Sequence, residues 1–390
     1  ITGAKADVRA TVKPSEEAVA VAALYSELNG GNAGANLDAA TKKAIKKAAI
    51  DLKQNAGRSL VVSGSNDANV QAVVNAINQQ LNNYGSTINL DTPYNVHTGD
   101  DKAMNDLVAQ MNSGGVDVLI TYGVNPSYNY YDAAKFDAGL KRVKTSISLN
   151  LKEDETSADN KVTYLCPDSH FLESWGDAEP KKGFFSLSQP TISPLFDTRE
   201  AQESLLRWAG LNTDAYTHVK SVWEQNVYPL QSKFPSFQSF WDAALHDGVF
   251  EANNPNKTTG NGVAAMYKNG AVASTAAAAV NNTPATNLPA ANVAAAISAI
   301  TAGSKSSGIE LKFYESVMMG DGRYANNPFL QETPDPIAKI CWTNFLAVSP
   351  KYAKEQTWEE YDMINVSVAG KSIDLPLILQ PGQKYGTASI

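Results

Sequence analysis

Four stretches of the chain carry residue types at spacings that suit chemistry. The first is Gly123-Val124-Asn125-Pro126, directly after the apolar run 116–122. Glycine lets the backbone leave a strand tightly, and proline fixes the turn that follows. Asn125 would then stand above the edge of a sheet. The same letters also spell an ordinary strand-to-helix turn, the more frequent outcome. The second is Gly64-Ser65-Asn66-Asp67, between Leu60-Val61-Val62 and an amphipathic helical stripe. Backbone N–H groups at a helix N-terminus can cradle a phosphate. The dinucleotide fingerprint G-x-G-x-x-G is absent, because Gly64 stands alone, and Asp67 is equally suited to a plain cap. The third is the run from Pro167 to Asp177, with His170 and Glu173 three residues apart. In a helical turn they would share a face, and a histidine near carboxylates can bind a metal or move a proton. Two ligands do not make a metal site, and H-E-x-x-H does not occur. The favoured expectation is therefore a buried polar network that locks a loop against the sheet edge. The fourth is the stretch from Met319 to Asn327, where two glycines and two asparagines bracket Arg323. That composition suits a tight loop placing a cation or clamping itself. His97, His218 and His246 have no partner at ligand spacing, and no nucleophile elbow, phosphate-binding loop or Cys–His pairing is present.

The elements that must position these residues alternate. Ser15, Glu16 and Glu17 open a helix that Gly30-Gly31 ends. Asp38 caps a second, with Ile45, Ala49 and Leu52 on one face. Residues 60–62 read as a short buried strand. Val70, Val73, Val74, Ile77 and Leu81 then form a helical stripe. A strand is expected at 87–90 and a helix around Met104, Leu107, Val108 and Met111, stopped by Gly114-Gly115. A strand follows at 116–122, then a helix with Phe136 and Leu140, and a strand at 145–149. Short strands alternating with longer helices imply right-handed crossovers and a parallel sheet. The fold class is therefore α/β: a Rossmann-like, doubly wound, mostly parallel sheet over roughly 60–165, with loop-rich extensions. Ligands bind such sheets beyond the carboxyl ends of the strands. Further on, helices are expected at 199–209, 237–245 and 292–302, a variable insertion at 274–288, and strands at 309–313, 340–345, 373–379 and 386–390. The expected domains are 1–180, 181–360 with an Ala-rich insertion near 260–308, and 361–390 as the start of a C-terminal domain.

Composition narrows the function classes. The chain has 390 residues, 43% hydrophobic and 18% charged, enough to bury a sizeable core. The formal net charge of -8 argues against nucleic acid or anionic lipid as the main partner. The longest Ala-rich stretch is too interrupted to span a bilayer. Two cysteines exclude a disulfide scaffold, a four-cysteine zinc site and an all-cysteine iron–sulfur cluster. A single Cys166–Cys341 disulfide is left open for an exported protein. The chain starts at Ile1 without Met and stops in an expected strand, so it reads as a piece of something longer.

The order of segments resembles the molybdopterin oxidoreductase superfamily from its middle Rossmann-like domain onward. The resemblance rests on Tyr122-Gly123-Val124-Asn125-Pro126, on residues 154–159 (Asp-Glu-Thr-Ser-Ala-Asp), on Cys166-Pro167, and on the run from His170 to Gly176. Three longer stretches, 169–180, 188–199 and 321–344, look like the B subunit of alternative complex III, a quinol:cytochrome c oxidoreductase. They are also similar to polysulfide and tetrathionate reductase catalytic subunits. Gln380-Pro381-Gly382-Gln383 looks like the start of the superfamily's C-terminal domain.

The resemblance implies several things. The chain would be a cofactor-free scaffold domain of a membrane-associated electron-transfer complex. It would lie on the periplasmic side of the inner membrane, peripheral, without a span of its own. Its partners would be other subunits of a respiratory complex, cytochrome c-type subunits included, and not nucleic acid. Iron–sulfur clusters would sit elsewhere in the parent protein. In cofactor-bearing members the turn at Gly123 and Asn125 and the segment at Glu155 and Thr156 would face a molybdopterin guanine dinucleotide. Together with Gly64, Ser65 and Asn66 these are the candidate or vestigial dinucleotide contacts. No metal ligand and no catalytic residue is expected in this stretch, and Cys166 and Cys341 are expected as buried or incidental thiols. The parent would be an oxidoreductase, and this piece would not be catalytic by itself. The alternative is a piece of an active molybdenum bis-pterin dinucleotide reductase of the polysulfide or tetrathionate type. An ordinary NAD-dependent enzyme is disfavoured by the missing glycine fingerprint.

Overall fold

Local chemistry starts and stops the helices where the sequence places them. In α1 (Pro14–Leu28) proline takes the first turn, where its missing N–H costs nothing, and the Glu16 carboxylate accepts the Lys13 N–H at 2.9 Å. Asp38 accepts the Thr41 N–H to cap α2 (Ala39–Gln54). Asp67 accepts from Asn69 and Val70 to cap α3 (Ala68–Gln80). The computed structural model describes residues 5–31, 36–96, 99–252, 290–303 and 308–390. The expected insertion at 274–288 and His97 lie outside them.

The chain forms two units, Ile1–Leu90 with Asn282–Ile390, and Asp91–Asn281.

The second unit begins with α4 (Asp101–Ser113), ended by Gly114 in the left-handed conformation at φ 75°. There follow β1 (Val118–Tyr122), α5 (Pro126–Asn129), α6 (Ala133–Leu140), β2 (Thr145–Asn150) and β3 (Tyr164–Pro167). The three strands form a parallel sheet in the order β1-β2-β3, with Val118 beside Thr145 and Ile147 beside Tyr164. This is the expected α/β arrangement with a parallel sheet. Val108, Met111, Leu119, Phe136, Leu140 and Val143 form its core. The chain continues through β4 (Gly176–Lys181), β5 (Phe184–Ser188), α7 (Ala201–Trp208), α8 (Ala215–Val222), α9 (Phe237–Asp247) and β6 (Val249–Glu251). The last three strands form an antiparallel sheet against an aromatic core of Trp223, Phe240 and Trp241.

The first unit resumes with α10 (Ala290–Gly303), β7 (Glu310–Lys312), α11 (Pro328–Glu332), β8 (Leu346–Val348), α12 (Pro350–Glu355), β9 (Met363–Val368), β10 (Lys371–Leu379) and β11 (Thr387–Ser389). Its sheet is mixed, in the order β7-β11-β8-β10-β9. Helices α1, α3 and α10 share one core, which includes Ala22, Val73, Ile77 and Val293.

Three expected strands are not formed. Residues 60–62 have no ladder: the Asn78 side chain takes both the Val61 N–H, at 3.0 Å, and the Val61 carbonyl, at 2.7 Å. Leu60 and Val62 are 51% and 72% exposed, so this is not a buried strand. Residues 87–90 instead follow a turn in which the Asn83 carbonyl accepts the N–H groups of Ser86, Thr87 and Ile88. In the first place an Asn side chain, and in the second the carbonyl of a turn, satisfies backbone groups that a strand would pair. Residues 340–345 are broken by Trp342 at φ 70°, with Lys339 before them at 63°; left-handed backbone cannot run on as a strand. Cys166 and Cys341 are both free thiols and half-buried, so the disulfide left open by the sequence is not formed.

Candidate functional site

The parallel sheet sets the site. Its strands end at Tyr122, Asn150 and Pro167, and the turns beyond them carry the candidate side chains. Gly123 sits at φ 62°, a conformation glycine adopts without penalty, and its N–H donates to the Leu149 carbonyl at 3.1 Å. This turns the chain sharply and presents Asn125 ahead of α5.

Asn125, Glu155 and Thr156 come together as a clasp. The Asn125 Nδ2 donates to Glu155 Oε2 at 2.6 Å. Its Oδ1 accepts from the Thr156 hydroxyl at 2.7 Å and from the Thr156 N–H at 3.2 Å. Thr156 Oγ1 in turn accepts the Ser127 N–H at 3.1 Å, and Thr156 is fully buried. The clasp ties the turn after β1 to the crossover between β2 and β3.

Further residues, missed in the sequence reading, brace it. Asp154 Oδ1 accepts the N–H groups of Thr156 and Ser157, each at 3.0 Å, and Asp154 Oδ2 accepts from Asn150 Nδ2 at 2.6 Å. Lys161 donates to the Glu155 carbonyl at 2.8 Å and pairs with Asp137 at 3.2 Å. Asp154-x-Thr156-Ser157 is the pattern of an Asx turn, and that was the available signal.

Electrostatically the clasp is anionic. The Asn125 amide beside Glu155 is the main cause holding its carboxyl below the ordinary carboxylate range, with Lys152 and Lys161 adding to it. Glu155 is exposed, so an ionised carboxylate faces solvent. The Asn125 amide, the Thr156 hydroxyl and the Ser127 N–H already have partners within the chain. A pyrophosphate wants free donors and positive potential. These residues do not fit one.

A second acidic group stands at the same end of the sheet. Asp168, just after β3, accepts the N–H groups of Ser169 and Ala201 at 2.9 and 2.8 Å. Glu200, just before α7, accepts the Trp175 N–H at 3.2 Å, while its Oε2 is buried with no partner among the described residues. Burial pushes both carboxyls up, and for Glu200 the charges of Glu203, Asp168 and Asp214 add to the rise. Burial, then Asp168 and Glu200, raise Tyr122 at the end of β1.

The other candidates stand apart. Gly64, Ser65 and Asn66 belong to the first unit. There the Ser65 hydroxyl accepts the Asp67 N–H at 3.2 Å, and Gln71 donates to the carbonyls of Ser63 and Ser65. A Cβ at Gly64 would meet nothing within 4 Å, so no close approach requires glycine. This turn closes on itself. Glu173 locks a loop: its carboxylate accepts the His170 N–H and the Leu195 N–H, each at 3.0 Å. Those two bonds hold its carboxyl below the ordinary range. His170 Nδ1 accepts the Leu172 N–H at 3.3 Å. Arg323 is bound by Asp321 through Nε and Nη2, at 3.0 and 2.7 Å. Among the described residues no group of three metal-ligating side chains occurs. No described helix is long and apolar enough to cross a membrane.

No family model matches the chain, and no curated protein matches it. Among solved structures it is similar to acetylene hydratase from Pelobacter acetylenicus. The identity is 13% and the TM-score 0.41, over 73% of this chain and 38% of that one. The chain thus spans well under half of that protein's length. So slight a likeness fixes neither family nor activity.

Proposed function

We propose that the chain is a cofactor-free scaffold domain with a molybdopterin oxidoreductase-like fold, belonging to a membrane-associated quinol:cytochrome c electron-transfer complex. Its work would be to hold redox subunits in register from the periplasmic side, with cytochrome c-type subunits among its partners. The motif resemblance supplies the complex. The Asn125–Glu155–Thr156 clasp supports the reading without a cofactor, and it is the observation that carries it. The donors of a would-be dinucleotide turn are bonded to one another, and the group left facing solvent is a carboxylate.

The test has two arms. Calorimetry of the purified chain with guanosine diphosphate is expected to show no binding tighter than about 1 mM, and micromolar binding would refute the cofactor-free reading. Purification from native membranes is expected to bring down haem-bearing and membrane subunits in fixed ratio, with molybdenum well below one per chain. Stoichiometric molybdenum would instead identify an active molybdenum reductase.

A further inference from the structure

The crossover from β2 to β3 and the last turn of α6 line a half-open cavity of about 360 Å³ in the second unit. That is within the size range of small-molecule sites. Leu140, Val143 and Val162 give it an apolar side. Its two hydroxyl residues are spent on each other: the Ser146 N–H donates to Thr163 Oγ1 at 3.0 Å, and the Thr163 N–H to Ser146 Oγ at 2.9 Å.

Four charged side chains also line the cavity, and they divide into two kinds. Asp137 and Lys161 are matched, at 3.2 Å, and Lys161 is further held by the Glu155 carbonyl. Lys141 and Asp159 line the same cavity without an ion pair to each other or to any other described residue. The wall that carries Asp159 has two successive left-handed residues, Asp159 and Asn160, each at φ 56°. Asp and Asn take that conformation more readily than other side chains, and here it turns the wall at the edge of the cavity.

One free cation, one free anion and an apolar side call for a ligand with the reverse pattern. We propose that this cavity binds a small zwitterion of the α-amino-acid type. Its carboxylate lies toward Lys141, its ammonium toward Asp159, and its side chain against Leu140, Val143 and Val162. A simple anion meets Asp159, and a simple amine meets Lys141, so each pays a repulsion that the zwitterion avoids. This site shares Lys161 with the bracing of the Asn125 clasp but does not depend on the scaffold reading.

The experiment is calorimetry of the full chain against each of the twenty L-amino acids, with apolar members such as leucine expected to bind best. Two analogues of leucine decide the charge pattern: 4-methylpentanoate, which lacks the ammonium, and 3-methylbutylamine, which lacks the carboxylate. Each is expected to bind at least about tenfold more weakly than leucine. Lys141→Gln and Asp159→Asn are each expected to weaken leucine by about tenfold while leaving the melting temperature unchanged, since both side chains are exposed. Asparagine also keeps the left-handed preference at that position. The proposal is overturned if no amino acid binds, if 4-methylpentanoate or the amine binds as well as leucine, or if both variants bind like the parent chain.

Discussion

The turns at 64–67 and 123–126 have the same plan on paper: a glycine, then an asparagine, then a helix. They end differently. The first has no strand before it, and its polar atoms are taken up by Ser63, Ser65, Asp67 and Gln71 of the same short stretch. The second follows a paired parallel strand, and Thr156, 31 residues away, reaches back to complete it. A turn becomes a junction between elements only when a paired strand fixes where it points. Without one, local side-chain bonds close it into a cap.

The sharpest way to break this comparison is to remove the residue that replaces strand pairing in the first unit. Asn78→Ala strips partners from Val61 and Asn83 and is expected to cost about 3 kcal/mol in urea unfolding. A loss below about 1 kcal/mol would mean that residues 60–62 find a partner elsewhere. Asn125→Ala is expected to cost about 2 kcal/mol, and hydrogen exchange should report it at Ser127 and Thr156 rather than in α3. Protection lost equally in both places would erase the distinction. Asp67→Ala removes only a helix cap, so about 1 kcal/mol is expected, confined to the first turn of α3.

The smallest effects are titrations of opposite sign at the one sheet end. Glu155 is held low, so its contribution is present above the ordinary carboxylate value and lost as the pH falls through the lowered one. Glu200 is held high, so its contribution is complete below the ordinary value and lost as the pH rises through the raised one. Urea midpoints against pH should therefore flatten on the acid side in Glu155→Gln and on the higher side in Glu200→Gln. Parallel curves for both variants and the parent chain would remove these groups as causes.

Much of this was legible in the letters. Helices announced themselves through Val70–Ile77 spacing, the Asp38 and Asp67 caps and the Gly114 stop, because those signals act within a few residues. The strand ahead of Gly123 was legible from its apolar run, and with it the position of Asn125. The strands at 60–62 and 87–90 were not, because Asn78 and Asn83 satisfy the backbone from outside the segment. Trp342 defeated 340–345 by adopting a left-handed conformation that few side chains take. At the site, Asn150 and Lys161 went unseen, since the groups they bond come near only in the folded crossover, while Asp154 left the local signal of an Asx turn.

The first unit is assembled from both ends of the chain, with Ser15 bonded to Glu310 across 295 positions and Asp38 to Lys384 across 346. A ribosome releases the opening helices long before their sheet exists. At ordinary synthesis rates that interval is roughly 15–60 s. During it, α1 and α3 expose the alanines and valines that will later meet α10. The inserted unit has its own cores and can fold meanwhile. Successful production should therefore depend on chaperones that shield the waiting N-terminal helices, and on the pace of translation through the inserted unit.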